Sequence, residues 1–363
     1  MTRIATALAS ADKAAPELAA DVVREALARA GGDIARSVLL FLSADFAHQA
    51  HAAVQAAARA ARCLQVTGCT APGVFTEEDW IIDRPAACAM VFCGQTGLAA
   101  HADAVLPRLT FAAPNAATAD WLAAAARRYG LLSTDGSAHG AGRIWCHGQM
   151  AGAGHCDTAV AGARTAIGVS RGVRVLTAPQ AVTADGYDIA KTGKQPALNA
   201  LLRELPLELR ELEKPPFHQL AAGVVTGNPE HAIEEGRYTL VPVIAVNHEE
   251  RSVTLAAPVE DGALLFWAMR QGLAAESEMR RLADGLAAEL DAPPDFGLLF
   301  SCLGRGPWFF GGEDRDLAAV KARLPGLPLI GAYGGGQIAP LHDGNRLVHN
   351  SAVLALFSEG ADV

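Results

Sequence analysis

Gly297-Leu298-Leu299-Phe300-Ser301-Cys302 and, far upstream, Val38-Leu39-Leu40-Phe41-Leu42-Ser43 are the stretches on which the reading of this chain turns. Both are continuous apolar runs, short enough for a strand buried on both faces. Each is followed by a helical pattern and then a second strand entering a glycine turn: Val66-Thr67-Gly68-Cys69 in one block, Leu329-Ile330-Gly331-Ala332 in the other. Both blocks close with a strand ending in phenylalanine, Phe92 and Phe357. The pattern predicts an α/β (mixed α+β) fold: two packed domains of mixed sheet flanked by helices. The two blocks read either as a duplication facing across a cleft or as ordinary strand-helix-strand units.

Around these blocks, apolar spacing predicts helices over 16–30, 46–62, 118–129, 197–205, 274–290 and 314–324. Strands are expected near 64–67, 87–92, 143–147, 158–169, 220–225, 238–246, 264–269, 327–331 and 348–357. Leu212 to Pro216 reads as a connector. At 363 residues, two domains are the default expectation.

The formal charge of −9 lacks the global footprint of a nucleic-acid binder, and 51% apolar residues exclude disorder. No run approaches a bilayer span, and the apolar part of Met1–Ala11 is too short for a signal peptide. Seven scattered cysteines are an odd number for a disulfide framework, so reduced thiols in a cytoplasm are expected. Cys146-His147 and His155-Cys156 could face one another across a turn, but their offsets fit no established zinc pattern. Neither a metal nor a cofactor is expected.

The chemistry-bearing stretch is Ser301-Cys302-Leu303-Gly304-Arg305-Gly306-Pro307-Trp308, delivered by a buried strand. Ligands of open α/β sheets bind beyond such strand ends, where Gly304 and Gly306 leave backbone N–H groups accessible and Arg305 can grip an anion bidentately. Alternatively, Arg305 pairs with a local carboxylate such as Glu313, and the glycines serve a turn. Gly331-Ala332-Tyr333-Gly334-Gly335-Gly336-Gln337 is expected beside this loop, because three consecutive glycines suit a close backbone approach. Neither loop carries a nucleotide signature. Cys302 is an alternative nucleophile if His342 or His349 lies near, although a buried free cysteine usually acts as a small hydrophobe.

Together these residues resemble the FIST family of sensory domains. Val66-Thr67-Gly68-Cys69-Thr70-Ala71-Pro72-Gly73, Ser170-Arg171-Gly172 and Gly193-Lys194-Gln195-Pro196-Ala197-Leu198 are similar to its N-terminal domain. Leu299–Gly306 followed by Pro328–Pro340 is similar to its C-terminal domain. Arg171 and Leu176 depart from the family pattern, and Gln337 replaces a frequent glutamate. The resemblance implies domains at 1–212 and 217–363 and a cytoplasmic, non-catalytic module that binds an amino acid or other small carboxylate. It also implies a downstream signalling partner, with no nucleic acid and no membrane. The implied site is Cys302, Gly304, Arg305, Gly306, Gly331, Tyr333, Gly334, Gly336 and Gln337, with Gly68, Cys69 and Thr70 opposite. A Cys302-dependent acyl-transfer or hydrolytic enzyme and a protein-binding scaffold are the competing readings.

Overall fold

The computed structural model describes residues 3–100, 106–136, 140, 142–210, 212, 216–342 and 344–360. The chain opens with β1 (Ile4–Ser10), α1 (Pro16–Arg29), β2 (Ser37–Ser43), α2 (Ala50–Ala61) and β3 (Val66–Ala71). The hairpin of β4 (Gly73–Thr76) and β5 (Trp80–Ile82) leads to β6 (Ala86–Phe92). A second pass runs β7 (Gly97–Ala99), β8 (Arg108–Ala112), α3 (Ala119–Leu122) and β9 (Arg128–Leu132). Its hairpin, β10 (Ile144–Cys146) and β11 (Gln149–Met150), leads to β12 (His155–Ala161).

The third pass begins with β13 (Ala163–Ser170) and is interrupted. The intervening chain forms β14 (Val173–Val175), β15 (Gln180–Asp185), β16 (Asp188–Thr192), β17 (Gln195–Pro196), α4 (Ala197–Glu204) and α5 (Leu207–Arg210). It continues through β18 (Leu220–Val225), β19 (Tyr238–Asn247), β20 (Ser252–Leu255) and β21 (Leu264–Arg270). The pass then resumes with α6 (Gly272–Glu289), β22 (Phe296–Cys302), α7 (Arg315–Arg323) and β23 (Leu329–Gly334). The hairpin of β24 (Gln337–Leu341) and β25 (Gly344–Val348) precedes β26 (Ala352–Glu359). Residues 1–171 and 276–363 pack as one unit, and 172–275 as another.

In the first unit three sheets share one strand plan: β1-β6-β2-β3-β10-β11, β7-β12-β8-β9-β24-β25 and β13-β26-β22-β23-β4-β5. In each, the only parallel pair is the central one, β2–β3, β8–β9 or β22–β23. The outer two strands of every sheet are the hairpin of another pass, so each repeat completes a neighbour's sheet. The suspected duplication is therefore a triplication, with the third copy split by the 172–275 insert.

Register makes the equivalence exact at the residue level. Leu40 faces Gly68, Thr110 faces Gly130, and Leu299 faces Gly331. A Cβ on these glycines would lie 1.8, 1.8 and 1.9 Å from the carbonyl oxygen of Leu40, Thr110 and Leu299. One residue further along each central strand stands a phenylalanine: Phe41, Phe111 or Phe300. Their ring centroids lie 5.4, 6.0 and 6.1 Å apart in edge-to-face contacts. The inner faces of all three sheets meet in this one core. On the outer faces, α1 and α2 cover the first sheet and α6 and α7 the third.

The 172–275 unit is an antiparallel barrel. Its strands run β21-β15-β16-β20-β19-β18, and β18 pairs again with β21 to close the ring. Closure leaves no free edge among these six strands. Their inward residues, including Val182, Ile189, Val241, Leu265 and Trp267, pack with Leu198 and Leu201 of α4.

Two expectations need correction. The alanine-rich stretch 118–129 is not one helix. A single turn capped by the Thr118 hydroxyl ends at Leu122, and Arg128–Leu132 is a strand because parallel pairing with β8 outweighs local helix propensity. The thiols are not all reduced either, since Cys146 and Cys156 form a disulfide between β10 and β12, strands of two different sheets. The connector expected at 212–216 falls largely on 213–215, outside the described residues.

Alanine at Gly68 or Gly331 is expected to destabilise the fold by about 3 kcal/mol or more, because the added carbon overlaps a strand carbonyl that has no room to shift. In contrast, Gly285 lies mid-helix with nothing within 4 Å of its built Cβ. Gly285→Ala should stabilise by about 0.8–1 kcal/mol. Denaturant unfolding of the three variants checks both signs.

Candidate functional site

The third repeat places a charged cluster beyond the end of its central strand. Strand β22 ends at Cys302, and the 3-10 turn Leu303–Arg305 carries the Arg305 side chain into the interior, fully buried. Its Nε donates to Asp316 Oδ2 at 2.7 Å and its Nη2 to Asp316 Oδ1 at 3.0 Å. Nη1 donates to the Ser170 carbonyl at 2.8 Å, and Nη2 also reaches Ser170 Oγ at 2.5 Å. The Ser170 hydroxyl in turn donates to Glu278 Oε2 at 3.0 Å. Local pairing is thus what the fold selects for Arg305, with Asp316 rather than Glu313 as partner. The guanidinium face expected to hold a ligand carboxylate holds Asp316.

The chain reaches Asp316 through a second 3-10 turn, Pro307–Phe310, and then Gly311 and Gly312, whose φ values of 87° and 117° suit glycine. Asp314 then caps α7, its Oδ1 accepting from Leu317 N at 2.9 Å, and its Oδ2 accepts from the Tyr333 hydroxyl. Burial, reinforced by Asp316, pushes the Asp314 carboxyl up to about 6. Burial likewise raises Asp316 despite the adjacent guanidinium, and burial beside Asp314 drives the Tyr333 phenol up. Ser301, the register partner of Tyr333, is buried, and its hydroxyl has no hydrogen-bond partner among the described residues.

The two glycine-bearing loops do lie side by side. Cys302 pairs in register with Gly334, and a Cβ on Gly306 would touch the Tyr333 ring at 3.3 Å. What the triple glycine approaches, however, is protein. A Cβ on Gly334 would meet Leu131 and the Leu132 carbonyl, one on Gly335 would meet Thr134, and one on Gly336 would meet His349. Gly331 is committed to the Leu299 carbonyl and Phe75. The side-chain amide of Gln337 is fully buried, and neither of its polar atoms finds a partner among the described residues. A surface groove of about 580 Å³ lies elsewhere, along α1 and α2, lined by residues such as Arg24, Ala56 and Arg59.

Gly68, Cys69 and Thr70 sit in the equivalent strand of the first repeat and serve local contacts. Gly68 abuts Leu40, Cys69 belongs to the shared core, and the Thr70 hydroxyl accepts from Arg143 N at 2.7 Å. Cys302 is buried, and among the described residues no histidine hydrogen-bonds its sulfur. Sequence reasoning missed Asp314, Asp316, Ser170 and Glu278. The Asp-x-Asp at a helix start was legible, but its pairing with Arg305 depends on the loop path.

The repeat supplies its own comparison. Counting from the aligned central strands, the residue equivalent to Arg305 in the first repeat is Phe46, the last residue of a matching 3-10 turn and fully buried. A 3-10 turn at the same place after the central strand therefore accepts a hydrocarbon, and a buried ion pair is commonly no more stabilising than one.

Arg305→Ala should accordingly cost about 3–5 kcal/mol, since it strands Asp316 without its partner. Joint replacement, Arg305→Met with Asp316→Leu, should restore most of that loss, and urea unfolding of the single and double variants measures it. Asp314 gives a pH signature. A raised acid favours the fold while protonated, so its contribution is complete below about pH 4 and is lost as the pH rises through about 6. The stability of the wild type relative to Asp314→Asn, which keeps the cap, should thus fall by on the order of 2 kcal/mol from pH 4 to 7.

Among known proteins, residues 197–340 match the family model of the FIST C domain. An uncharacterized protein of Mycobacterium tuberculosis (strain ATCC 25618 / H37Rv) is 30% identical over 230 residues, 63% of this chain and 60% of that protein. An uncharacterized protein of Mycobacterium bovis (strain ATCC BAA-935 / AF2122/97) is 31% identical over 191 residues, 52% of this chain and 49% of its own length. The chain spans about 60% of the length of the first of these relatives. No helix among the described residues is long and apolar enough to cross a membrane. The segment similar to the FIST C domain, residues 197–340, includes Arg305, Asp314, Asp316 and Tyr333.

Proposed function

We propose that this chain is a small-ligand-binding sensory module, with FIST N-like and FIST C-like segments at 1–212 and 217–363. Its ligand is an amino acid or another small carboxylate, taken up at the loops around Arg305 and Tyr333, and its output passes to a downstream signalling protein in the cytoplasm. The observation that carries this reading is the contrast between Arg305 and Phe46. Where the first repeat fills the position with a phenyl ring, the third keeps a guanidinium, two aspartates and a tyrosine out of water. Retaining so many desolvated polar groups where hydrocarbon suffices is the mark of a functional site.

The loop itself supports this reading. Gly304 and Trp308, which flank Arg305 in sequence, are exposed, so an aromatic face is open to a ligand on the same loop as the guanidinium.

A thermal-shift screen of the amino acids and small carboxylates tests the proposal. A ligand present at about 100 times its Kd stabilises the native state by about 2.7 kcal/mol, so the unfolding midpoint should rise for at least one compound. That rise should disappear in the Arg305→Met, Asp316→Leu protein. A flat response across the screen counts against the reading.

A further inference from the structure

Resting on the ligand reading above, we infer that this site takes its ligand by carboxylate exchange, the ligand's carboxylate replacing Asp316 on the Nε and Nη2 edge of Arg305. The geometry of that edge is the first support. Two parallel N–H···O bonds from one guanidinium to one carboxylate are the arrangement by which arginine recognises small carboxylates in general. In the folded chain the arrangement is already assembled, with a side chain in the ligand's place.

The second support is the division of labour around the guanidinium. Nη1 and Nη2 also donate to the carbonyl and hydroxyl of Ser170, so β13 holds the guanidinium in orientation independently of Asp316. Ser170 is thus a positioning residue, and Asp316 is the exchangeable one. Asp316 lies on the first turn of α7, and its neighbour Gly312 ends the covering loop in a left-handed conformation.

The third support is charge. The exchange breaks no covalent bond, and one carboxylate succeeds another, so the guanidinium stays compensated throughout. Displaced Asp316 is left among acids: Asp314 on its own segment, Glu276 and Glu278 from α6, and the Tyr333 hydroxyl from β23. Of the nearby cations, Arg280 and Arg315 are both engaged with Glu276, and Arg305 now serves the ligand. Arg171 follows Ser170 in sequence and also makes its own contacts. A buried carboxylate in that company takes up a proton from solvent and becomes the neutral acid. Ligand anion and proton therefore enter together, one of each, and the net charge of the site is unchanged.

Calorimetry on the full chain tests this, with acetate and glycine as probes and two buffers of different ionisation enthalpy at pH 7.5. Exchange gives uptake of about one proton per carboxylate bound, and hence about a tenfold loss of affinity for each pH unit upward. Asp316→Asn removes the charged competitor, so it should bind at least tenfold more tightly and take up no proton. If that variant fails to fold, proton uptake and pH slope in the wild type still decide the matter. Binding without proton uptake, independent of pH, overturns the exchange and leaves the carboxylate reading intact. No binding of either probe by wild type or variant overturns both.

Discussion

Three phenylalanine rings, Phe41, Phe111 and Phe300, touch one another edge to face at the centre of the large unit, and the rest of its architecture follows from that contact. Each ring stands at the same place in its repeat, one residue beyond the position facing a glycine on the parallel neighbour. The glycine lets the third strand close onto the carbonyl of the second, which draws the central pair tight at the level of the rings. Edge-to-face pairs contribute about 0.5–1.5 kcal/mol each beyond area burial, modest beside the hydrocarbon they help to bury. Their larger effect is geometric, because three rings in mutual contact fix how the three sheets face each other.

The exchanged hairpins make that arrangement cooperative. The first repeat's hairpin completes the third sheet, the second's completes the first, and the third's completes the second. No repeat can finish its own sheet, so none of them buries its edge alone. The Cys146–Cys156 bridge spans two of these sheets and reinforces the junction covalently. The insert at 172–275 follows the opposite logic, since its six strands close into a ring without help from elsewhere in the chain. An element that satisfies its own edges can be inserted into a repeat without disturbing the strand plan around it.

Two of the three repeats were legible because Val38–Ser43 and Gly297–Cys302 are unbroken apolar strands. The second repeat was hidden, since its central strand Arg108-Leu109-Thr110-Phe111-Ala112 carries an arginine and a threonine and reads as no core strand. Hairpin exchange could not be read at all, because strands at β4 and β5 were not expected and nothing local tells whose sheet a hairpin extends. The triple glycine suited either a positive φ or a close approach; what lies against Gly334 and Gly335 is the end of β9 and Thr134, brought there by exchange. Arg305 was legible as chemistry and not as geometry. Its partner Asp316 lies across a loop with two left-handed glycines, and nothing local to either residue reveals the pairing.

A repeat fold also separates what stability requires from what function keeps. At the end of its central strand, the first repeat turns through Ala44–Phe46 and buries the phenyl ring under α2. The third repeat makes a 3-10 turn at the same place, Leu303–Arg305, and buries a charge that pairs with Asp316 of α7. The two turns enter alike from an extended residue and leave differently, through helical Ala47 and extended Gly306, yet each buries its last side chain, so burial at this place does not by itself demand a guanidinium. Desolvating it carries a cost that the Asp316 pairing offsets and that a hydrocarbon would have avoided. The serine at 301 in place of Leu42 extends the same asymmetry to the residue paired with Tyr333. Polar groups gathered at one of three equivalent places, against the drift of a core toward hydrocarbon, are the physical ground for proposing the ligand site in the third repeat.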